Sequence, residues 1–338
     1  MPPSSVHMIW GRPLIASSNW TRSVSQNRVF GGFGVEDGSE RLRWGVRRRL
    51  EFIDFRLFWD GRFNRSDLAA TFGISAQQAS ADIGHYEKIA AANLRYDRAE
   101  KAYIRRDDFA PAFIGETIER YLLQLVAIEN RWMRPGDTWF DAIPPIEVIT
   151  LGRRPTDPAV LLRVLDAIRK HQEIDIDYAS LTGSVQPSRT IAPHALAHSA
   201  GRWYVRSWSR DHNDFRDYNL NRIAKVIDHR PASVDVSLDY EWAQKINLVI
   251  RPNPGLPPER QAAVASEHAM TDGQLIRPCR LSLSFYLMSE YNLDVEPGVL
   301  KPEKQQIVLH NRDEVTQARA SSRQMSIEAL ARASTGGE

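Results

Sequence analysis

A single cysteine, Cys279, stands among 338 residues, so the chain has no pair for a disulfide and no cluster for a cysteine-rich zinc or iron–sulfur site. That scarcity fits a reducing compartment, and a cytoplasmic protein is expected. No uninterrupted apolar run approaches the roughly 18 to 20 residues that a membrane span needs, which argues against a transmembrane role. An excess of one charge is lacking too: the formal net charge is +2, too small by itself to announce a nucleic-acid partner. Neither a P-loop nor a dinucleotide glycine fingerprint occurs, and no strand-to-helix elbow presents a serine. His194 and His198 are four apart, but Pro193 argues against a helix there and no third metal ligand stands near. No cofactor, no metal and no catalysis are therefore expected. What the chain does have is ordinary globular material, 42% hydrophobic and 25% charged, in a length that suits two or three domains.

Residues 1–40 are rich in Ser, Gly and Pro and read as a disordered lead. From Arg41 the pattern turns to short amphipathic segments. Val46, Leu50, Ile53 and Leu57 predict a helix stopped by Gly61. Ser66 is the expected cap of a second, short helix with Leu68, Ala69 and Phe72 inward. Gly73 then turns the chain and Ser75 caps a third helix. Leu94–Tyr96 and Ala102–Ile104 flank the polar turn 97–100 and read as a hairpin wing. Residues 41–110 thus form an expected winged helix-turn-helix, and 111–150 a linker with a helix near Ile114–Glu129 and an irregular, proline-broken stretch at 132–145. A helix at 159–171 is followed by strand-like runs at 174–178, 189–196, 202–208, 215–220 and 223–227, predicting a strongly bent sheet or barrel within 151–235. The segment 240–322 reads as a small α+β unit, with strands at 246–250, 280–287 and 306–310 around a helix at 257–268. Residues 323–338 are expected to be a tail.

The third helix carries the clearest functional signal. At 100° per residue, Ala76, Ala79, Ile83 and Tyr86 share one side, and Gln77, Ala81, Gly84, His85 and Lys88, with Gln78 at the margin, take the other. That outer face is small, polar and neutral to basic, as a helix entering the major groove requires: glutamine can bond adenine twice and alanine can touch a thymine methyl. Asp82 lies between the faces, better placed to orient a neighbouring arginine than to approach phosphate. Ser75, at the helix start, is placed to hold a phosphate. Residues 41–110 hold fourteen Lys or Arg against ten Asp or Glu, a net +4 that exceeds the whole chain's excess. The candidate DNA contacts are Ser75, Gln77, Gln78, Ala81, His85, Lys88 and, at the wing tip, Arg98. Arg47, Arg48 and Arg49 alone would read as a solvated helix face.

In the middle segment, residues 201–208 alternate strictly, with Trp203, Val205 and Ser207 on one side and Arg202, Tyr204, Arg206 and Trp208 on the other. Further arginines at 189, 210, 216 and 222 stand in adjacent runs. Guanidinium forks bind phosphate and aromatic rings stack bases. The plainer alternative is that these arginines pair with Asp175, Asp177, Asp211, Asp214 and Asp217 on a solvated sheet.

The run Trp203-Tyr204-Val205, with Arg189-Thr190-Ile191-Ala192-Pro193-His194 before it and Asn219-Leu220-Asn221-Arg222-Ile223 after it, resembles the WYL-domain transcriptional regulators. Valine stands where that family writes leucine. The recognition-helix run 75–82 and the overall length are most like the repressors found beside BREX and CBASS anti-phage defence systems. The resemblance implies an α+β multidomain chain: an N-terminal winged helix-turn-helix, an Sm-like β-barrel WYL domain and a C-terminal ferredoxin-like domain, assembled as a homodimer. It implies repression through a double-stranded operator with an inverted repeat, relieved by a nucleic-acid or nucleotide effector. By matching position the effector site would use Tyr178, Ser180, Arg189, His194, Tyr204, Arg206 and Arg222, with Trp203 in the barrel core. A transcriptional activator or metabolic regulator, and a non-catalytic nucleic-acid-binding accessory protein, remain the alternatives.

Overall fold

The structure, a computed structural model, describes residues 43–115, 118–149, 155–181 and 188–335. The expected lead at 1–40 lies outside them. The chain divides at residue 150 into two compact units.

In the first unit, α1 (Trp44–Phe55) continues into a π-helical turn over Arg56–Asp60 that ends at Gly61, whose φ of 76° is a left-handed value best suited to glycine. Strand β1 (Arg62–Phe63) leads to α2 (Arg65–Phe72). Its cap is Asn64, not the expected Ser66: the Asp67 carboxylate accepts the Asn64 N–H at 2.7 Å, so the Asn-x-x-Asp pair sets the start. Gly73, at φ 61°, makes the turn to α3 (Ala76–Ile89), and Ser75 caps α3 by accepting the Gln78 N–H at 3.1 Å. Strands β2 (Leu94–Asp97) and β3 (Ala102–Arg105) form the wing, and β1 completes a three-stranded antiparallel sheet in the order β1-β3-β2. The core joins Leu50, Phe52, Ile53 and Leu57 of the first helical stretch to Leu68, Ala79, Ile83, Tyr86 and Leu94. Helix α4 spans Glu119–Glu129 and starts later than the sequence suggests, because the backbone N–H groups of residues 112–114 are drawn to the buried Asp54 carboxylate instead. From the irregular stretch beyond it, Trp139 packs edge-on against Phe52 and Phe55.

In the second unit, α5 (Pro158–Lys170) begins at an Asp157 cap and packs along β4 (Gln172–Tyr178), β5 (Ser188–Ser199) and β8 (Ile223–Pro231). With β6 (Arg202–Ser209) and β7 (Asp214–Asn219) these strands make one antiparallel sheet in the order β7-β6-β5-β4-β8. The last strand thus returns to pair with the first, and register shifts in the β4–β8 and β5–β6 pairings bend the sheet. Between β7 and β8 no ladder closes the sheet among the described residues, where the sequence suggested a barrel. A short helix α6 (Tyr240–Ala243) leads to β9 (Lys245–Pro252), α7 (Pro258–Glu267), β10 (Leu275–Arg280), α8 (Leu281–Glu290), β11 (Ile307–Leu309) and α9 (Arg312–Thr335), with sheet order β10-β9-β11.

Two expectations fail here. Residues 281–287 are helical, not a strand. The alternation Leu-Ser-Leu-Ser resembles a half-buried strand, but Ser282 and Ser284 are themselves buried, and Ser284 donates its hydroxyl to the Leu281 carbonyl at 2.7 Å. Residues 323–335, read as tail, continue α9, where Leu330 joins Ala192, Trp208 and Phe215 in a small apolar cluster. No helix among the described residues is long and apolar enough to cross a membrane.

Candidate nucleic-acid interface and effector pocket

Helix α3 turns Ala79, Asp82, Ile83 and Tyr86 into the unit and leaves Ser75, Gln77, Gln78, Ala81 and Lys88 exposed, with His85 half-buried. Ala76, expected inward, is exposed, since the first turn of the helix projects past the core. Asp82, only 3% exposed, receives a forked pair from Arg49, Nε at 2.6 Å and an Nη at 3.2 Å, and this is the role its position suggested. It also accepts the Gln78 side-chain amide at 3.1 Å, which fixes that glutamine on the exposed face. Arg65 reaches across from α2 and donates to the Ser80 hydroxyl at 3.2 Å, so it borders the same face. Sequence reading passed over Arg65 because nothing in its own neighbourhood signals where it points. Arg98 is exposed in the wing turn, flanked by Arg62 and Arg95, which are paired with Glu100 and Asp97. The run at 47–49 is internally engaged: Arg47 and Arg48 both hold Glu51, and Arg49 holds Asp82.

The seven candidate effector residues fall into two groups. His194, Tyr204 and Arg206 gather on one side. Register skips from Pro193–Ser207 to Ala195–Arg206, so His194 is the bulged residue of β5. A proline tolerates this place because the ladder is interrupted there. The bulge aims the imidazole at Asp239, 3.0 Å away. Arg206 is 3% exposed and is fully occupied: its Nε and one Nη fork onto Asp239 at 2.7 and 2.9 Å, and Glu241 and Asp217 lie at 3.2 and 3.4 Å. Desolvation opposes this buried cation, but the bond to Asp239 and the charges of the three carboxylates raise its affinity for the proton above the ordinary arginine value. Burial likewise works against ionised Asp239, yet the bonds from His194 and Arg206 hold its carboxyl below the usual range. Asp217 goes the other way, pushed up by burial despite Arg206. Tyr204 packs on Tyr286 with ring centroids 4.5 Å apart.

The second group is more open. Tyr178 sits edge-on to Tyr218 and accepts the Asn219 N–H at 3.3 Å. Arg189 lies 3.4 Å from Asp211. Tyr218 donates to the Ser209 hydroxyl at 2.8 Å, and His212 is 3.1 Å from that same oxygen. Ser180 is exposed just past β4, and the Arg222 carbonyl accepts the Ala179 N–H at 3.0 Å, so the chain brings Arg222 beside the Tyr178–Ser180 end of the strand. Arg210, for its part, holds the buried Glu173 at 2.7 Å, and Arg230 forks onto Asp175 at 2.9 Å. Much of the middle segment's positive charge is therefore paired, as the plainer reading held. Of the pairs that reading named, however, only Arg189–Asp211 and Arg206–Asp217 occur among the described residues, and Glu173, Asp239 and Glu241 supply the other partners of Arg206 and Arg210. Trp203 does not enter the core: it is 50% exposed and packs on the His198 ring at 4.8 Å, because the first residues of β6 run out past the hydrophobic layer.

Three family descriptions match successive stretches: the BrxR transcriptional regulator winged helix-turn-helix domain at residues 45–127, the WYL domain at 159–227, and the BrxR transcriptional regulator C-terminal dimerization domain at 245–315. A protein of Pseudomonas aeruginosa named DNA-binding transcriptional repressor CapW is 37% identical over 281 residues, 82% of this chain and 93% of that one. Proteins of the same name from Escherichia coli (strain KTE188), at 33% over 280 residues, and Stenotrophomonas maltophilia, at 34% over 282, each match 83% of this chain and 94% of their own length. With these three domain descriptions matching in succession and identity above 30% over more than four fifths of the chain, the chain belongs to the CapW family of WYL-domain transcriptional regulators.

Proposed function

We propose that this chain is a homodimeric, cytoplasmic transcriptional repressor that reads an operator through α3 and releases it when a nucleic-acid or nucleotide effector occupies the WYL segment, and that the operon it governs serves anti-phage defence. The observation that carries the reading is the exposed face of α3 on a winged helix: polar, small and free of acidic groups across Ser75, Gln77, Gln78, Ala81 and Lys88, with Asp82 turned inward onto Arg49. Gln77 and Gln78 read bases in this scheme, Ala81 meets a thymine methyl, Ser75, Lys88 and Arg98 hold phosphates, and His85 borders the contact. The effector contacts Tyr178, Ser180, Arg189 and Arg222 directly. His194, Tyr204 and Arg206 stand behind them as a connection toward Asp239 and Tyr286. Segments 41–110, 151–235 and 240–322 are the DNA-reading, sensing and dimerising parts. The middle sheet is of Sm-like type, a reading supported by its last strand returning to pair with its first. The last segment is read as ferredoxin-like from the family resemblance, although its three-stranded order β10-β9-β11 lacks, among the described residues, the inserted strand of that fold.

For release to occur, the effector must bind the DNA-incompetent dimer more tightly than the competent one, since equal affinity shifts nothing. The test is titration of the full chain onto duplex from its own upstream region beside a scrambled duplex at physiological salt. A preference of at least about a thousandfold is expected. The double substitution Gln77→Ala with Gln78→Ala should erase most of that preference while sparing non-specific affinity. Arg222→Ala should keep operator binding and lose induction. Equal binding to both duplexes would remove the repressor reading, and a fully inducible Arg222→Ala would remove the pocket.

A further inference from the structure

A cleft of about 600 Å³ lies between the edge strand β7 and helices α8 and α9, well inside the size range of small-ligand sites. We propose that this cleft binds a nucleotide, its phosphate held by Arg216, Arg319 and Arg323 and its base stacked on Phe285. Arg206, one of the seven candidate effector residues, stands in the inner wall of the cleft, but Tyr178, Ser180, Arg189 and Arg222 do not line it, and the proposal does not depend on the reading of that group.

The inner wall is closed to a ligand. Arg206 is spent on Asp217, Asp239 and Glu241, and Asp217 is buried, with its carboxyl pushed up by that burial. The outer rim differs. Arg319 and Arg323 lie four apart on α9, on the face they share with Thr316 and Ala320, whose small side chains leave the cleft open. Each spends little of its fork. Arg319 offers Nε to Glu241 at 3.4 Å with its side chain 42% exposed, and Arg323 offers one Nη to Asp214 at 2.6 Å with its side chain 52% exposed. A guanidinium carries five N–H donors, so most remain for an anion. Arg216, exposed on β7, forms no ion pair among the described residues. The two carboxylates nearest these cations are buried: Glu241 is shared by Arg206 and Arg319, and Asp214 is held by Arg323. The exposed groups of the rim are therefore cationic.

An anion alone would not call for the fourth element. Phe285 is 48% exposed on α8, and the Arg319 guanidinium carbon stands 5.4 Å from its ring centroid. An open aromatic face beside a cation in a phosphate-sized rim fits a flat, electron-rich ring that carries a phosphate. Sequence reading could not assemble this site. Its arginines come from β7, from the end of the expected α+β unit and from the segment expected to be tail, and its ring comes from the segment expected to be a strand.

The test is isothermal titration calorimetry of the full chain with each of the four ribonucleoside 5′-monophosphates, and with inorganic phosphate and the free nucleosides as separate arms. At least one monophosphate should bind at one per chain, at least about tenfold more tightly than phosphate or its own nucleoside. Arg216→Ala and Arg319→Gln should each weaken it by about tenfold. Phe285→Ala should do the same and leave inorganic phosphate binding unchanged. Arg216 and Phe285 are exposed, so these variants keep the fold, which circular dichroism checks. The proposal is overturned by no binding of any monophosphate at millimolar concentration. It is equally overturned by phosphate binding as well as the nucleotides, or by affinity untouched in Arg216→Ala and Phe285→Ala. Binding lost in Arg222→Ala but kept in Arg216→Ala would assign the ligand to the other pocket and defeat this one, leaving the repressor reading intact.

Discussion

Asp54 decides how the winged unit is tied together. It is completely buried, accepts the Tyr86 hydroxyl, and accepts the backbone N–H groups of Ala112, Phe113 and Ile114 at 2.9, 2.7 and 3.0 Å. The Tyr86 hydroxyl also accepts the Asn93 amide at 2.9 Å, so α1, α3 and the segment before α4 share one network. Truncation strands several donors at once, and each buried unsatisfied group costs about 1 to 3 kcal/mol. Asp54→Ala should therefore destabilise this unit by about 3 to 5 kcal/mol. Hydrogen exchange over residues 44–115 should speed up accordingly, and unchanged protection would refute the network. Asp60 makes the pH prediction. Burial pushes its carboxyl up to about 6, with Arg56, 2.8 Å away, opposing. Between the ordinary carboxylate range and about pH 6, the folded chain thus holds a proton that the unfolded chain has released. This group's contribution to stability therefore grows as pH falls through that window and is lost as pH rises. The thermal midpoint of wild type minus that of Asp60→Asn should be higher at pH 5 than at pH 7; a flat difference would contradict this.

At the scale of elements, Arg206 fastens β6 to the stretch that opens α6. One cation faces Asp217, Asp239 and Glu241, all but sealed from water, and Glu241 passes the contact on to Arg319 of α9. Removing one side of a buried pair costs about 3 to 5 kcal/mol, because the other charge stays behind without a partner. Arg206→Ala should lower the stability of the second unit by about that much, and Arg206→Lys should restore only part, since an ammonium cannot fork onto Asp239. Calorimetric unfolding that shows lysine as good as arginine would mean that charge alone is used. Elements whose signals are local were legible in the sequence: the helix, Gly turn, helix and wing of the first unit, and the alternating strands of the middle. What stayed hidden depends on distant partners. The cap at Asn64 competes with a nearby serine, the His194 bulge shows only in the register with β6, and the burial of Ser282 and Ser284 follows from tertiary packing that local alternation does not encode. The candidate contacts on α3 could be placed because helical periodicity alone sorts inside from outside. The arginines of the middle segment could not be sorted that way, because most of their carboxylate partners, Glu173, Asp239 and Glu241 among them, come from other strands and helices.

For the whole molecule, attraction to DNA is a question of where the charge lies. The chain carries only +2, while residues 41–110 carry +4, so the remainder is slightly acidic. Within the winged unit many cations are already matched: Arg47 and Arg48 with Glu51, Arg49 with Asp82, Arg62 with Glu100, Arg95 with Asp97. Arg43, Arg65, Lys88, Arg98, Lys101 and Arg105 are exposed and absent from these pairs, and of these only Lys88, on the outer face of α3, and Arg98, at the wing tip, are among the proposed phosphate contacts. Each phosphate neutralised on B-DNA contributes about −0.9 to the slope of log affinity against log salt. Two such contacts per protomer, doubled in a homodimer, predict a slope of about −3.6, modest for a protein that binds DNA. Replacing Lys88 by Ala should make the slope shallower by about 1.8 per dimer and weaken operator and random duplex alike, because a phosphate contact carries no sequence information. Replacing Gln77 should leave the slope unchanged and reduce only the operator's advantage. A steep slope near −8 would mean that further cations reach phosphate, either unpaired ones such as Arg65 and Lys101 or the arginines now engaged with carboxylates. If it is the engaged arginines, the winged unit reaches DNA by breaking its own ion pairs, and Glu51→Gln, which frees Arg47 and Arg48, would raise affinity for any duplex.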